Sequence, residues 1–226
     1  MERCHKERNM KRTDVTLEEK AYEKLKDAIV MGKYPPGYQI VEIALAAKLE
    51  MSRSPVRIAI KRLEGEGILE RRSNKRYYVA HANKERTMET LYVREVLEGL
   101  AARLAASRRT ELDIQKLNNC MEQMDKYSKE NKSRELYLES VRFHKLIFRI
   151  ARNSQLEKFG VVNMEQEAVF SYRSLFQNND RTFQAHTEHK EILCCIIQKD
   201  CDGAEKAARN HIKVLIQRVI KGEELL

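Results

Sequence analysis

The chain has 226 residues, 42% of them hydrophobic, enough for one large core or two small ones. It holds only 3 Pro, 8 Gly and no Trp, and its centre and C-terminal part are almost free of breakers, which excludes a turn-rich β fold and reads as mostly α. No apolar run approaches the roughly 18 residues that span a bilayer, which argues against a membrane protein. The formal charge of +9 is concentrated at one end: residues 1–80 carry 18 Lys and Arg against 12 Asp and Glu. Such a segment attracts polyanions, so nucleic acid or an anionic membrane surface is a candidate partner. Cys4, Cys120, Cys194, Cys195 and Cys201 contain no C-x-x-C pair, and no N-terminal stretch has the apolar centre of a signal peptide. Free thiols in a reducing cytoplasm follow. Cys194 and Cys195, inside the run Leu193–Ile197, read as small buried hydrophobes rather than redox sensors.

Residues 1–13 are basic and aperiodic and read as a flexible arm. Thr16 and Glu19 make a T-x-x-E capping box, after which Leu17, Ala21, Leu25 and Ile29 recur every four residues up to Gly32, predicting a first helix. Tyr34-Pro35-Pro36-Gly37 forces a turn. A short second helix spans Val41 to Leu49 with Leu45, Ala46 and Leu49 inward. Ser52 then caps a third, with Pro55 in its first turn. Val56, Ala59, Ile60 and Leu63 form the apolar face of that helix and leave Ser54, Arg57 and Lys61 on the opposite, basic one. Gly65 and Gly67 end it, and 68–79 reads as strand, basic turn, strand. Helix, helix, turn, helix, hairpin is the order of a winged helix-turn-helix, whose third helix fits the major groove while caps and hairpin meet phosphate. This head covers 14–80, a linker covers 81–86, and 87–222 divides into about six amphipathic helices with breaks near 108–110, 129–132, 153–154, 178–180 and 200–203. The predicted architecture is a mostly α protein: a winged helix-turn-helix with a small β-hairpin wing, then an all-α antiparallel bundle.

The residues Leu45-Ala46, Ser52-Arg53-Ser54-Pro55-Val56-Arg57 and Arg62-Leu63-Glu64-Gly65-Glu66-Gly67-Ile68-Leu69 resemble the N-terminal domain of GntR-family bacterial regulators. The opening of the second part, Leu91 to Ala106, together with Asn153 and the Asp200–His211 segment, resembles the helical FCD effector domain of the FadR-type branch. The likeness runs from about residue 17 to 217. It implies that Arg53, Ser54 and Arg57 approach bases or phosphates, with Lys61 and the wing residues Lys75 and Arg76 as further DNA contacts. Two positions depart from the family: Glu50 stands where the turn usually has Gly, which suggests a slightly altered turn, and Arg76 stands where the wing usually has Gly.

Three histidines lie on apolar helix faces: His144 with Phe143, Ile147 and Ala151, His189 with Ala185, Ile192 and Leu193, and His211 with Ala204, Ala208 and Leu215. An inward histidine is commonly a satisfied core residue, yet three from three helices can converge on one divalent cation. The resemblance implies the same set, His144, His189 and His211, as ligands of a divalent metal ion of the Zn, Ni or Mn type, plus an Asp one turn before the first. That Asp position is Ser140, with Glu139 beside it but rotated about 100° around the helix. The site therefore takes metal through three histidines and water, or uses the histidines directly on a ligand. Family effectors are often carboxylates, and the resemblance places Arg94 near the cavity, so Arg94, Ser140, His144, His189 and His211 form the effector set. A surface ion pair of Arg94 with Glu98 at i+4 is the competing reading.

These observations predict a cytoplasmic transcription regulator, read as a repressor, that binds a near-palindromic double-stranded operator as a homodimer under the control of a small organic acid. A metal-responsive or ligand-independent regulator is the nearer alternative. A metal-dependent hydrolase is the distant one, since G-x-S-x-G, H-E-x-x-H and a phosphate loop are all missing from the sequence.

Overall fold

The computed structural model describes residues 15–81, 84–170 and 179–222. The predicted arm lies outside the described residues; of the break expected near 178–180, residue 178 lies outside them, while 179 and 180 already belong to a helix. Thr16 caps α1 (Leu17–Val30) by accepting from the Glu19 amide at 3.2 Å. The Glu19 carboxylate, which a full capping box would turn back toward Thr16, instead accepts from Arg62 at 2.9 Å. Ala21, Tyr22, Leu25 and Ile29 are buried on one face of α1, and Gly32 at φ 67 turns the chain away.

The head also contains a strand that its periodicity does not announce. The Pro35–Gly37 turn delivers β1 (Gln39–Ile40) beside the wing hairpin of β2 (Leu69–Arg71) and β3 (Tyr77–Val79). The three form an antiparallel sheet of order β1-β3-β2, with Gln39 opposite Tyr78 and Leu69 opposite Val79. Between β1 and the wing lie α2 (Glu42–Leu49) and α3 (Arg53–Gly65). Leu25, Ile29, Leu45, Val56, Ile60, Leu63, Ile68 and Val79 close into one buried core, each large apolar side chain contributing about 1.5–3 kcal/mol.

The second domain contains α4 (Lys84–Arg108), α5 (Glu111–Lys129), α6 (Ser133–Ile150), α7 (Ser154–Phe170), α8 (Asn179–Ile197) and α9 (Cys201–Lys221). Thr110 and Asp113 form a complete capping box at α5, and Asp200 caps α9. The central helix is α4, which packs along α9, α7, α6 and α8. Two expectations are corrected. Lys84, Glu85 and Arg86, read as linker, are the first turn of α4, so helix begins almost at the end of the head. Cys194 is exposed and Cys195 half-buried, because the buried side of α8 is set by Ile192, Leu193 and Ile196. Among the described cysteines Cys120 is the buried one, and burial with its hydrogen bond to Glu139 pushes its thiol up to about 12.

The turn between α2 and α3 keeps the left-handed backbone that a glycine would adopt, with Glu50 at φ 54, ψ 44. At the wing tip the left-handed residue is Lys75, φ 62, not Arg76. A non-glycine residue in this region costs about 1–2 kcal/mol, partly offset because glycine loses more entropy on folding. Glu50→Gly is therefore expected to raise stability by up to about 1 kcal/mol in urea unfolding, and Glu50→Val to lower it; a loss of stability with glycine would mean that the Glu50 side chain itself supports the turn.

Candidate functional site

The outward face of α3 is built by what the other face buries. Pro55, Val56, Ala59, Ile60 and Leu63 turn inward, which leaves Arg53, Ser54, Arg57, Ile58 and Lys61 exposed. Ser52 precedes the helix in extended backbone without a side-chain capping bond, so its hydroxyl is not committed to the first turn. Glu42, at the start of α2, reaches across: its carboxylate accepts from Arg53 Nε at 2.8 Å and from Arg57 Nε and Nη2 at 3.0 and 2.9 Å. The hydrogen bonds from Arg57, opposed by some burial and joined by Arg53, hold the Glu42 carboxyl below its ordinary value. The two guanidiniums are thus fixed side by side at the edge of the face rather than left to sample solvent. At the wing tip Asn74 accepts from the Arg76 amide at 3.0 Å and donates to the Tyr78 hydroxyl at 3.0 Å. This fixes the turn and leaves the Lys75 and Arg76 side chains exposed. Every residue expected in the basic set lies on α3 or the wing. Glu42, which arranges two of them, was not anticipated; a carboxylate 11 residues before Arg53 reads in sequence as an ordinary solvated charge.

In the helical domain the three histidines do converge. His144 on α6, His189 on α8 and His211 on α9 are all buried, with ring centroids 4.9, 5.1 and 4.7 Å apart. His144 Nε2 lies 3.0 Å from His189 Nε2. Two carboxylates hold the rings from behind: Glu98 contacts His144 Nδ1 at 2.8 Å and Glu188 contacts His211 Nδ1 at 2.6 Å. A carboxylate on Nδ1 fixes the tautomer that leaves Nε2 as a lone-pair donor. Two ring nitrogens on one ion at 2.0–2.1 Å stand about 3.0–3.4 Å apart, which the His144–His189 pair matches, and one ring nitrogen from each of the three lies within 4.8 Å of the others, a set that could hold a divalent metal. Ser140 lines the same cavity, but its hydroxyl donates to the Tyr137 carbonyl at 2.7 Å. Glu139 turns away to Arg142 at 3.0 Å. Neither residue adds an anionic ligand to the three neutral imidazoles.

Arg94 lies in the cavity wall and is buried. It pairs with Glu98 at 2.6 Å, as the i+4 spacing suggested, but not at the surface, and with Glu167 of α7 at 2.9 Å. Burial alone would raise the Glu98 carboxyl; Arg94 and His144 outweigh it and hold it far below the usual carboxylate range. The cavity left between these groups is about 70 Å³, room for a few waters or the head of a small acid.

The two domains meet along α7. Glu165 pairs with Lys26 of α1 at 3.3 Å, Gln166 donates to the Glu66 carbonyl, and Val169 is buried in the core of the head. Met164 and Glu167, on the other side of the same turns, line the cavity.

Residues 17–79 match the gntR family of bacterial regulatory proteins and residues 89–214 match the FCD domain. The chain belongs to the GntR family. It is a DNA-binding transcriptional regulator with a C-terminal FCD domain, not an enzyme. Among its relatives, a probable D-xylose utilization operon transcriptional repressor of Paenarthrobacter nicotinovorans is 28% identical over 193 residues, covering 83% of this chain and 84% of the relative. The Glc operon transcriptional activator of Escherichia coli K12 is 29% identical over 196 residues, covering 77% of each. The solved structure of E. coli McbR/YncC shares the fold, with a TM-score of 0.82 at 20% identity over 92% of this chain and 99% of that one. Among the described residues of this GntR-family chain, no helix is long and apolar enough to cross a membrane.

Arg94→Met removes the cation from between two buried carboxylates and is expected to cost about 3–5 kcal/mol in urea unfolding at pH 7. Because the Glu98 carboxyl is depressed in the folded state, its stabilisation is complete above the unfolded value of about 4.3 and drains away as pH falls below it. Stability measured from pH 7 down to 3 should therefore hold until about pH 4–5 before this contribution is lost. A loss at higher pH that Glu98→Gln removes would contradict the assignment.

Proposed function

We propose that the chain is an effector-controlled repressor that binds a near-palindromic operator as a homodimer in the cytoplasm and senses a small organic acid in the helical-domain cavity. On this reading Arg53 and Arg57, presented by Glu42, contact bases or phosphates from the edge of α3 while Ser54 and Lys61 occupy its middle. Lys75 and Arg76 lie on the flanking backbone. One short helix reads few base pairs, so a two-fold protein doubles the site. A half-exposed stripe on α4, Tyr92, Val93, Val96 and Leu100, supports a surface for the second copy.

The observation that carries the sensing role is the convergence of His144, His189 and His211 opposite a buried Arg94. His144, His189 and His211 would hold a divalent ion of the Zn, Ni or Mn type. When bound, that ion supplies a Lewis-acid anchor for an oxygen ligand. With Ser140 in place of a carboxylate the donor set is three neutral imidazoles, with Glu98 and Glu188 behind the rings rather than on the ion, so a coordination position would stay open to the oxygen of an acid ligand. Arg94 then has a second role: an acid that engages it competes with Glu167, and Glu167 shares α7 with Glu165, Gln166 and Val169, which grip the head. A ligand that favours one position of α7 thereby favours one position of the head, and ordinary coupling of about 1–3 kcal/mol corresponds to 5- to 150-fold in operator affinity.

A thermal-shift screen of organic acids with and without Zn²⁺, Ni²⁺ or Mn²⁺ identifies the ligand, since binding only to the folded state raises the midpoint. Operator titrations then test the reading. Arg57→Ala is expected to weaken binding by about 1–3 kcal/mol, whereas His189→Ala and His211→Ala retain effector-free affinity and lose the response. A full response in both histidine variants, or wild-type affinity in Arg57→Ala, defeats the corresponding half.

A further inference from the structure

On the outward face of α3, Ser54 and Lys61 mark the midline. At about 100° per residue, Arg57 and Ile58 lie about 50° to either side of it. Arg57 is tied to Glu42 on one flank. Arg62, beyond Ile58 on the other flank, turns back onto the Tyr22 ring and to Glu19 and Glu66. Ile58 is left 49% exposed, the one large apolar side chain that α3 shows to solvent, and it takes no part in the packed core of the head.

A single exposed isoleucine is common on any protein surface; its position here is what carries weight. The base edges of the major groove present hydrogen-bond donors and acceptors, and one apolar group, the thymine 5-methyl. An isoleucine flanked by Ser54, Arg57 and Lys61 offers no hydrogen bond to any of the polar edges, and facing one would strand that edge without a partner. Facing a thymine methyl, it buries apolar surface on both sides.

Resting on the reading of α3 as the recognition helix, we infer that Ile58 is a specificity-determining residue that selects thymine at one position of each operator half-site by packing against its 5-methyl group. Arg53 and Arg57 place the helix, and Ile58 rejects the bases that leave it facing a polar edge.

Duplexes selected from a random pool by the full-length wild-type protein are resynthesised with deoxyuridine replacing thymidine at one position at a time, which removes the methyl group and nothing else. The wild type is expected to bind about fourfold more weakly at one position per half-site, the factor for about 0.8 kcal/mol, one buried methyl-sized group. Ile58→Ala binds the two duplexes alike, and Ile58→Val, which keeps branched methyl groups, retains part of the preference. Thermal midpoints confirm that both variants fold. Arg57→Ala weakens binding to both duplexes and keeps their ratio. Indifference of the wild type to deoxyuridine at every position, or an unchanged ratio in Ile58→Ala, overturns the inference while the weakening by Arg57→Ala still stands. Wild-type affinity in Arg57→Ala as well overturns the recognition-helix reading itself.

Discussion

The Arg94 guanidinium, taken out of water at the centre of the helical domain, makes demands on every helix around it. A buried cation must be paired, and breaking such a pair costs more than an ordinary core substitution. Glu98 comes from the same helix one turn on, and Glu167 from α7. Glu98 also turns its second oxygen to His144 on α6. One charge therefore sets the spacing of α4, α6 and α7, and orients the first of the three imidazoles. The cavity is small because these groups satisfy one another across it. On the proposed reading a ligand that enters displaces one of these partners, which would be the source of differential binding between two arrangements.

The head solves the opposite problem. Its functional groups have to stay exposed and charged, yet long arginine side chains lose entropy when a ligand fixes them. Glu42 takes up part of that loss beforehand by holding Arg53 and Arg57 together while leaving their outer edges open. Exposed ion pairs of this sort add little to stability, so their consequence is for presentation. Between the two domains, α7 belongs to both: its polar residues are buried on one side by the cavity wall and on the other by α1 and the end of α3. Asn163, Glu165 and Glu167 are all buried on this helix, an arrangement that a helix with only one packed face would not tolerate.

Much of this was legible in the sequence because helix periodicity and caps are local. The helices of the head follow from spacings of three and four and from Thr16 and Pro55, the wing from its strand, basic turn, strand pattern, and the described helices of the second domain from amphipathic stretches between breaks. The strand β1 was not legible, since two residues carry no period and Gln39–Ile40 become a strand only by pairing with β3. The inward faces of the three histidines could be read, but their convergence depends on how α6, α8 and α9 cross. Glu167 and Glu188 carry no signal in the sequence, because an isolated carboxylate gives no sign of a partner 73 or 23 residues away. Cys194 was misread because a run of apolar residues in a helix turns all of its sides in succession, and only some of them meet the core. The short link between the domains offers one route of coupling. The contact along α7 is a second route that sequence spacing could not reveal.

The central claim is that the head and the cavity share α7 as one mechanical element. Amide hydrogen exchange of the full chain, free and bound to an operator duplex selected from a random pool, tests it without knowledge of the effector. On the proposed reading DNA contacts the head, and linkage is reciprocal. The account predicts changed exchange along residues 163–169 and around His189 as well as within residues 15–81. Changes confined to residues 15–81, with α7 and the histidine cluster indifferent to DNA, would contradict it.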